Sequence, residues 1–357
     1  MGSANMEKKW LFPLVISSVI CIFLLATSLN LGLVSSRHAI NSIFSFFPSR
    51  VLANQSSLAF AENIVSQGPP PPSVPAIPRF AYLISGSKGD LEKLWRTLQA
   101  LYHPLNQYVL HLDLESPVAE RLELASRVDN ETMFNTVGNV FVIKKANMVT
   151  YRGPTMVANT LHACAILLRR SKDWDWFINL SASDYPLVTQ DGSAWMVLSR
   201  WFVEYCVWGW DNLPRTLLMY YTNFVSSPEG YFHTVICNEP EFAKTAVNHD
   251  LHYISWDIPP KQHPHTLNIN DTNKMIASGA AFARKFKRDD PALDKIDKDL
   301  LRRRKGSFTP GGWCAGKPKC SRVGNPNKIK PGPGAERLRR LVGRLTLTAK
   351  FGQNQCK

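Results

Sequence analysis

The chain has 357 residues, 45% of them hydrophobic, and a formal net charge of +14 at neutral pH. That size allows one large globular domain or two small ones. Residues 284–350 hold 20 Lys and Arg against 6 Asp and Glu, and the remainder sums to zero, so the excess belongs to a C-terminal tract and is excluded as a property of the whole fold.

Lys8 and Lys9 precede "WLFPLVISSVICIFLLATSLNLGLV", residues 10–34, which carries no charge. Its 25 residues exceed the roughly 20 that a bilayer-spanning helix needs. An uncleaved signal anchor over 10–34 is expected, with Leu25-Ala26-Thr27-Ser28 leaving cleavage as the alternative. Basic residues before the span place a tail of residues 1–9 in the cytosol and the rest in the lumen, a single-pass type II arrangement. That topology excludes nucleic acid as the partner of the basic tract. Residues 35–78 end in "GPPPPSVPAIP", which reads as a stiff, extended stem.

From residue 79 the pattern changes. "RFAYLISG" (79–86) predicts a buried strand, and "DLEKLWRTLQALY" (90–102) a helix with Leu91, Leu94, Leu98 and Leu101 on one face. "QYVLHLDLE" (107–115) and "NVFVIKK" (139–145) predict further strands. "TMVANTLHACAILLRR" (155–170) predicts a helix, and "WDWFINLSASDYPLV" (174–188) opens with a fourth strand. Strands alternating with helices imply a parallel α/β sheet, whose ligands bind outside the carboxyl ends of the strands. The polar residues expected there are Ser85 to Lys88, His111, Asp113, Tyr151, Arg152, Ser183 and Asp184. The globular domain is taken as 79–315, and 316–357 as a basic, solvated tail.

Sequons at Asn54, Asn130 and Asn270 fit a lumenal body, whereas the one at Asn179 falls in a strand-like run. Beyond Cys21 in the span, six cysteines permit up to three disulfides, and no Cys/His spacing suggests zinc. Two Asp-x-Asp triplets occur, Asp173-Trp174-Asp175 and Asp297-Lys298-Asp299. The first precedes its strand and the second lies in a charged, helical segment, so neither is expected to hold a metal. Asp113 can serve as a cap and Asp184 as a turn residue. Trp208 and Trp210 can stack on a sugar ring or fill the core. His233 and His249 read as structural. Glu229, in "SSPEGYFHTVICN" (226–238), sits before an apolar segment. By spacing alone it is a helix-capping acid or a catalytic loop carboxylate.

"FAYLISGS", "YVLHLDLES", "NVFVIKKANMVTYRG", "WDWFINLSASDYPL", "GSAWMVLSRWFVEY", "SSPEGYFHTVICN" and "FARKFKRDD" occur in that order. Together, over about 79–315, they resemble the Core-2/I-branching family of Golgi glycosyltransferases, in particular its plant β-glucuronosyltransferase branch acting on arabinogalactan proteins. The resemblance implies a GT-A-like fold, a UDP-sugar donor and inversion at the anomeric carbon, with no metal or other cofactor. It implies Glu229 as general base and Lys285 as the cation on the departing UDP. The resemblance adds Lys261 and the Asp184 turn on the donor side; Asp113 and Ser85, read from their strand ends, join them, and Trp208 and Trp210, read from their rings, stand as acceptor-side residues. The implied reaction moves glucuronic acid from UDP-glucuronic acid to galactan side chains. Xylose or N-acetylglucosamine transfer is the enzymatic alternative, and a non-catalytic, membrane-anchored binding protein is another. One departure stands out. The family has several tens of residues between the "SASDYPLVTQD" turn and "GSAWMVLSR", where this chain passes directly from Asp191 to Gly192.

Overall fold

The structure, a computed structural model, describes residues 77–190, 197–209, 211–346 and Cys356. The expected span 10–34, Asn54, Trp210 and the Asp191–Gly192 seam lie outside the described residues. Among the described residues no helix is long and apolar enough to cross a membrane.

The chain runs β1 (Phe80–Gly86), α1 (Leu91–Leu101), β2 (Gln107–Leu112), α2 (Val118–Asn130), α3 (Thr132–Val137), β3 (Val140–Val142), α4 (Thr155–Arg170) and β4 (Trp176–Ser181). There follow β5 (Tyr185–Pro186), β6 (Leu198–Ser199), α5 (Arg200–Trp208), α6 (Leu213–Tyr220) and α7 (Ser227–Asn238). Then come α8 (Pro240–Ala243), β7 (His252–Ile254), α9 (Thr272–Ser278), β8 (Phe282–Arg284) and α10 (Pro291–Ile296). A short hairpin, β9 (Cys314–Ala315) and β10 (Arg322–Val323), precedes α11 (Pro333–Thr346).

The central sheet has the order β3-β2-β1-β4-β6, and only β6 is antiparallel to its neighbour. The expected α/β architecture with a parallel sheet is present. β1 reads as an unbroken apolar run because both its faces are covered: Tyr82 and Ile84 enter one core, and Ala81 and Leu83 the other. The chain moves outward from β1 to β2 and β3, then returns to the other side of β1 as β4. That reversal opens a crevice at the carboxyl ends of β1 and β4. Gly86 sits in it, where a Cβ would lie 2.8 Å from Cβ of Asp90 and 3.3 Å from Cβ of Ala182, so a larger residue must push away the start of α1. A second sheet, β5-β8-β7, stands beside the crevice.

The basic tail differs from expectation. Its α11 is a packed helix, with Leu338 and Leu341 in the main core and Leu345 against it. Leucines at this spacing line one face of a helix, while Arg339 and Arg340 pair with Glu336 on another. Among the described residues the cysteines form two disulfides, Cys237–Cys356 and Cys314–Cys320, and Cys164 and Cys206 are buried thiols in one core. Asn130 and Asn270 are exposed, whereas Asn179 is half-buried in β4.

Candidate active site

Glu229 lies in the first turn of α7, where a carboxylate is favoured by the helix dipole. The helix starts after Ser226, which is left-handed at φ 68°, a conformation that costs on the order of 1 kcal/mol for a non-glycine residue and persists only when neighbours enforce it. The neighbour is the "TYRG" loop between β3 and α4. The Ser226 N–H donates to the Tyr151 carbonyl at 3.0 Å, and the Gly153 N–H to the Phe224 carbonyl at 2.9 Å. The Ser227 hydroxyl donates to the Gly153 carbonyl at 2.6 Å. Across this clamp the Tyr151 hydroxyl donates to Oε1 of Glu229. That bond holds the Tyr151 hydroxyl above its ordinary pKa, because ionising it would place two negative charges together.

The clamp loop is fixed from below. His111, at the end of β2, is fully buried, and its Nε2 accepts from the Asn147 N–H at 3.1 Å. Burial pushes this imidazole down to about 4, with His162 and Arg121 adding like-charge repulsion.

At the end of β4, Asp184 is buried. Its Oδ2 accepts from the Ser181 N–H at 2.8 Å, and its Oδ1 faces Arg284 Nε at 3.3 Å and His252 Nε2 at 3.9 Å. Burial pushes this carboxyl up, but Arg284 and His252 outweigh it and hold it below the usual carboxylate range. The expected turn bond is thus present, together with an ion pair to β8 that local spacing does not reveal. Arg284 is near enough to Tyr151 to favour the ionised hydroxyl electrostatically. Lys285 follows directly, half-buried, with its carbonyl accepting from the Leu267 N–H at 2.9 Å. Lys285 forms no ion pair among the described residues. The Phe286 N–H donates to the Ser183 carbonyl at 3.2 Å, closing this strip against the Asp184 turn.

Ser85 is half-buried at the end of β1, and its carbonyl accepts from the Ala182 N–H at 2.7 Å. Asp113 is buried and accepts from both the N–H and the hydroxyl of Ser116 at 3.1 Å; burial raises its carboxyl. Both line the strand ends. Lys261 is exposed and pairs with Asp257 at 3.1 Å, with no described contact to Glu229 or Arg284. Trp208 is exposed at the end of α5. Each Asp-x-Asp triplet has structural partners. Asp175 accepts from the Arg79 N–H and Asp173 pairs with Arg79. Asp297 accepts from Arg96 and Tyr185, and Asp299 from Lys295. The sequence reading gave Arg284 no role and Tyr151 no partner; the sign available was the basic pair Arg284-Lys285 itself.

Residues 80–191 and 190–276 match the Core-2/I-Branching enzyme family. The chain belongs to that family. Beta-glucuronosyltransferase GlcAT14A of Arabidopsis thaliana is 49% identical over 98% of this chain and 93% of its own length. GlcAT14C of the same plant is 39% identical over 96% and 95%. Xylosyltransferase 2 of Homo sapiens is 26% identical over 69% of this chain and 36% of its own length. The chain is therefore an enzyme, a glycosyltransferase. The family match falls into two stretches that meet at residues 190 and 191. The alignment with GlcAT14A runs over 421 positions against 357 residues here, so at least 64 have no counterpart in this chain. Both findings agree with a stretch absent at the Asp191–Gly192 seam.

Proposed function

We propose that this chain is an inverting glucuronosyltransferase of GT-A-like fold. It moves glucuronic acid from UDP-glucuronic acid to galactan side chains of arabinogalactan proteins. The observation that carries this reading is the 49% identity to a glucuronosyltransferase over 98% of the chain. The more distant xylosyltransferases support xylose transfer only as a second reading, and nothing among these relatives favours N-acetylglucosamine.

In this reading the acceptor hydroxyl oxygen attacks C1 of the donor sugar. Glu229 takes the proton, the C1–O bond to UDP breaks, and the electron pair leaves with the diphosphate. One carboxylate suffices, because inversion needs no covalent intermediate. Tyr151 holds one oxygen of Glu229, leaving the other to receive the proton. Lys285 and Arg284 meet the developing charge on UDP, and Asp184 orients Arg284 without itself reaching the donor. Ser85 and Asp113 line the nucleoside end of the crevice. A type II anchor and Golgi residence belong to the same proposal; the two disulfides support an oxidising lumen.

The test is transfer by the full chain from UDP-glucuronic acid to β-galactan with EDTA present, beside Glu229→Gln. Transfer that survives EDTA and falls by roughly 10²–10⁴ in the variant is expected. Transfer unchanged in the variant removes Glu229 from the chemistry. A folded wild type that transfers nothing favours the non-catalytic reading.

A further inference from the structure

Next to Glu229 the chain builds a surface that the proposed chemistry leaves without a task. Residues 216–228 carry no charged side chain, in a protein where 20% of residues are charged. Tyr220 is 61% exposed, Phe224 42% and Val225 66%. The Tyr220 and Phe224 rings lie 5.1 Å apart, and each lies within 5.5 Å of the buried Tyr221 ring. Tyr221 in turn packs over Gly230, where a Cβ would lie 2.3 Å from its hydroxyl oxygen. The rings are thus braced on the residue that follows Glu229. On the other side Phe224 and Val225 bridge to the "TYRG" loop, whose Tyr151 touches Glu229. Tyr220, Phe224, Val225 and Tyr151 form one exposed shelf that ends at the candidate base.

We propose that this shelf is the acceptor subsite, and that it holds a neutral β-linked galactan with its sugar rings against Tyr220 and Phe224. This rests on the reading of Glu229 as base: a ring seated here presents its hydroxyls to that carboxylate. The chemistry of the surface selects the ligand. The C–H faces of a neutral sugar pack on aromatic rings, while its rim hydroxyls find Thr222 and Asn223. Arg152, paired with Val225 at the rim, is an exposed cation beside the shelf, and in the proposed reaction the donor's diphosphate goes to Arg284 and Lys285.

The test has two arms, both on the full chain. In the first, saturation-transfer NMR irradiates aromatic protein protons with a β-linked galacto-oligosaccharide present and no donor. The ring C–H protons of the sugar are expected to be marked. Marking weakens in Tyr220→Ala and Phe224→Ala and returns in Phe224→Tyr. In the second, the acceptor KM rises about tenfold in Phe224→Ala while the donor KM stays within about twofold. A sugar left unmarked by the wild type overturns the proposal, even where the alanine variants fail to fold. An acceptor KM unchanged in the folded alanine variants also overturns it. So does a wild-type dimer that Phe224→Ala dissociates with the sugar unmarked, which assigns the face to a second copy. Marking without any transfer leaves the shelf standing and defeats the proposed reaction.

Discussion

The two sides of Glu229 are built on opposite principles. Toward β8 the groups are charged and buried or half-buried, and each fixes the next: Ser181 holds the buried Asp184, and Asp184 holds Arg284. Toward α6 the residues between Arg215 and Glu229 are uncharged, and Tyr220, Phe224 and Val225 are exposed. A departing diphosphate needs charge already in place, because reorganising dipoles during the reaction costs rate. A neutral acceptor needs area and shape, and buried charge there would only add a desolvation cost. Glu229 and Tyr151 stand at the seam between the two, on elements clamped to each other by backbone hydrogen bonds.

The contrast can be broken on the charged side with the largest effect. Asp184→Asn leaves Arg284 without its counter-charge in a mostly buried setting and is expected to cost about 3 kcal/mol, the low end for a broken buried pair. Urea unfolding measures it, and a loss under 1 kcal/mol would show that the pair contributes little. Lys285→Ala is expected to lower kcat roughly 10²-fold with the acceptor KM unchanged. A rise in the acceptor KM instead would blur the proposed division of labour.

Acid tests the support of the clamp. His111 is pushed down to about 4 by burial, against an unperturbed value near 6.5. Between these values the unfolded chain binds the proton and the folded one does not, so stability is full above about 6.5 and falls as pH drops toward 4. The loss attributable to His111 is about 3 kcal/mol, and protonated Nε2 can no longer accept from Asn147. His111→Gln should flatten the pH dependence of urea unfolding over that window. The smallest effect is expected at Tyr151→Phe, about a tenfold fall in kcat with both KM values steady. Independently, Glu229→Gln should let Tyr151 ionise at lower pH, seen by ultraviolet difference titration, since its carboxylate partner is what holds the hydroxyl up.

Local pattern made β1, α1, β2, α4 and β4 readable, because each is a continuous apolar run or a helical stripe. The sheet β5-β8-β7 was not readable, since strands of two or three residues have no periodicity to detect. The helix α11 was hidden by its own charge: four arginines outnumber the three leucines that bury it. Glu229 entered as a candidate base through resemblance, with capping and catalysis undivided by spacing. Its contact with Tyr151 spans 78 residues, and Asp184 meets Arg284 across a similarly long separation. Such pairings are set by sheet topology, and nothing in the neighbouring sequence encodes them.

The Cys237–Cys356 bond carries a separate consequence. Cys237 lies in the last turn of the helix that begins beside Glu229, and its partner is 119 residues further on. The polypeptide between them is a closed covalent ring that contains β7, β8 and α11. A single protease cut anywhere within that ring opens it but releases no fragment. Such a nicked molecule keeps its intact mass, apart from one added water, until a reductant separates the pieces on a gel.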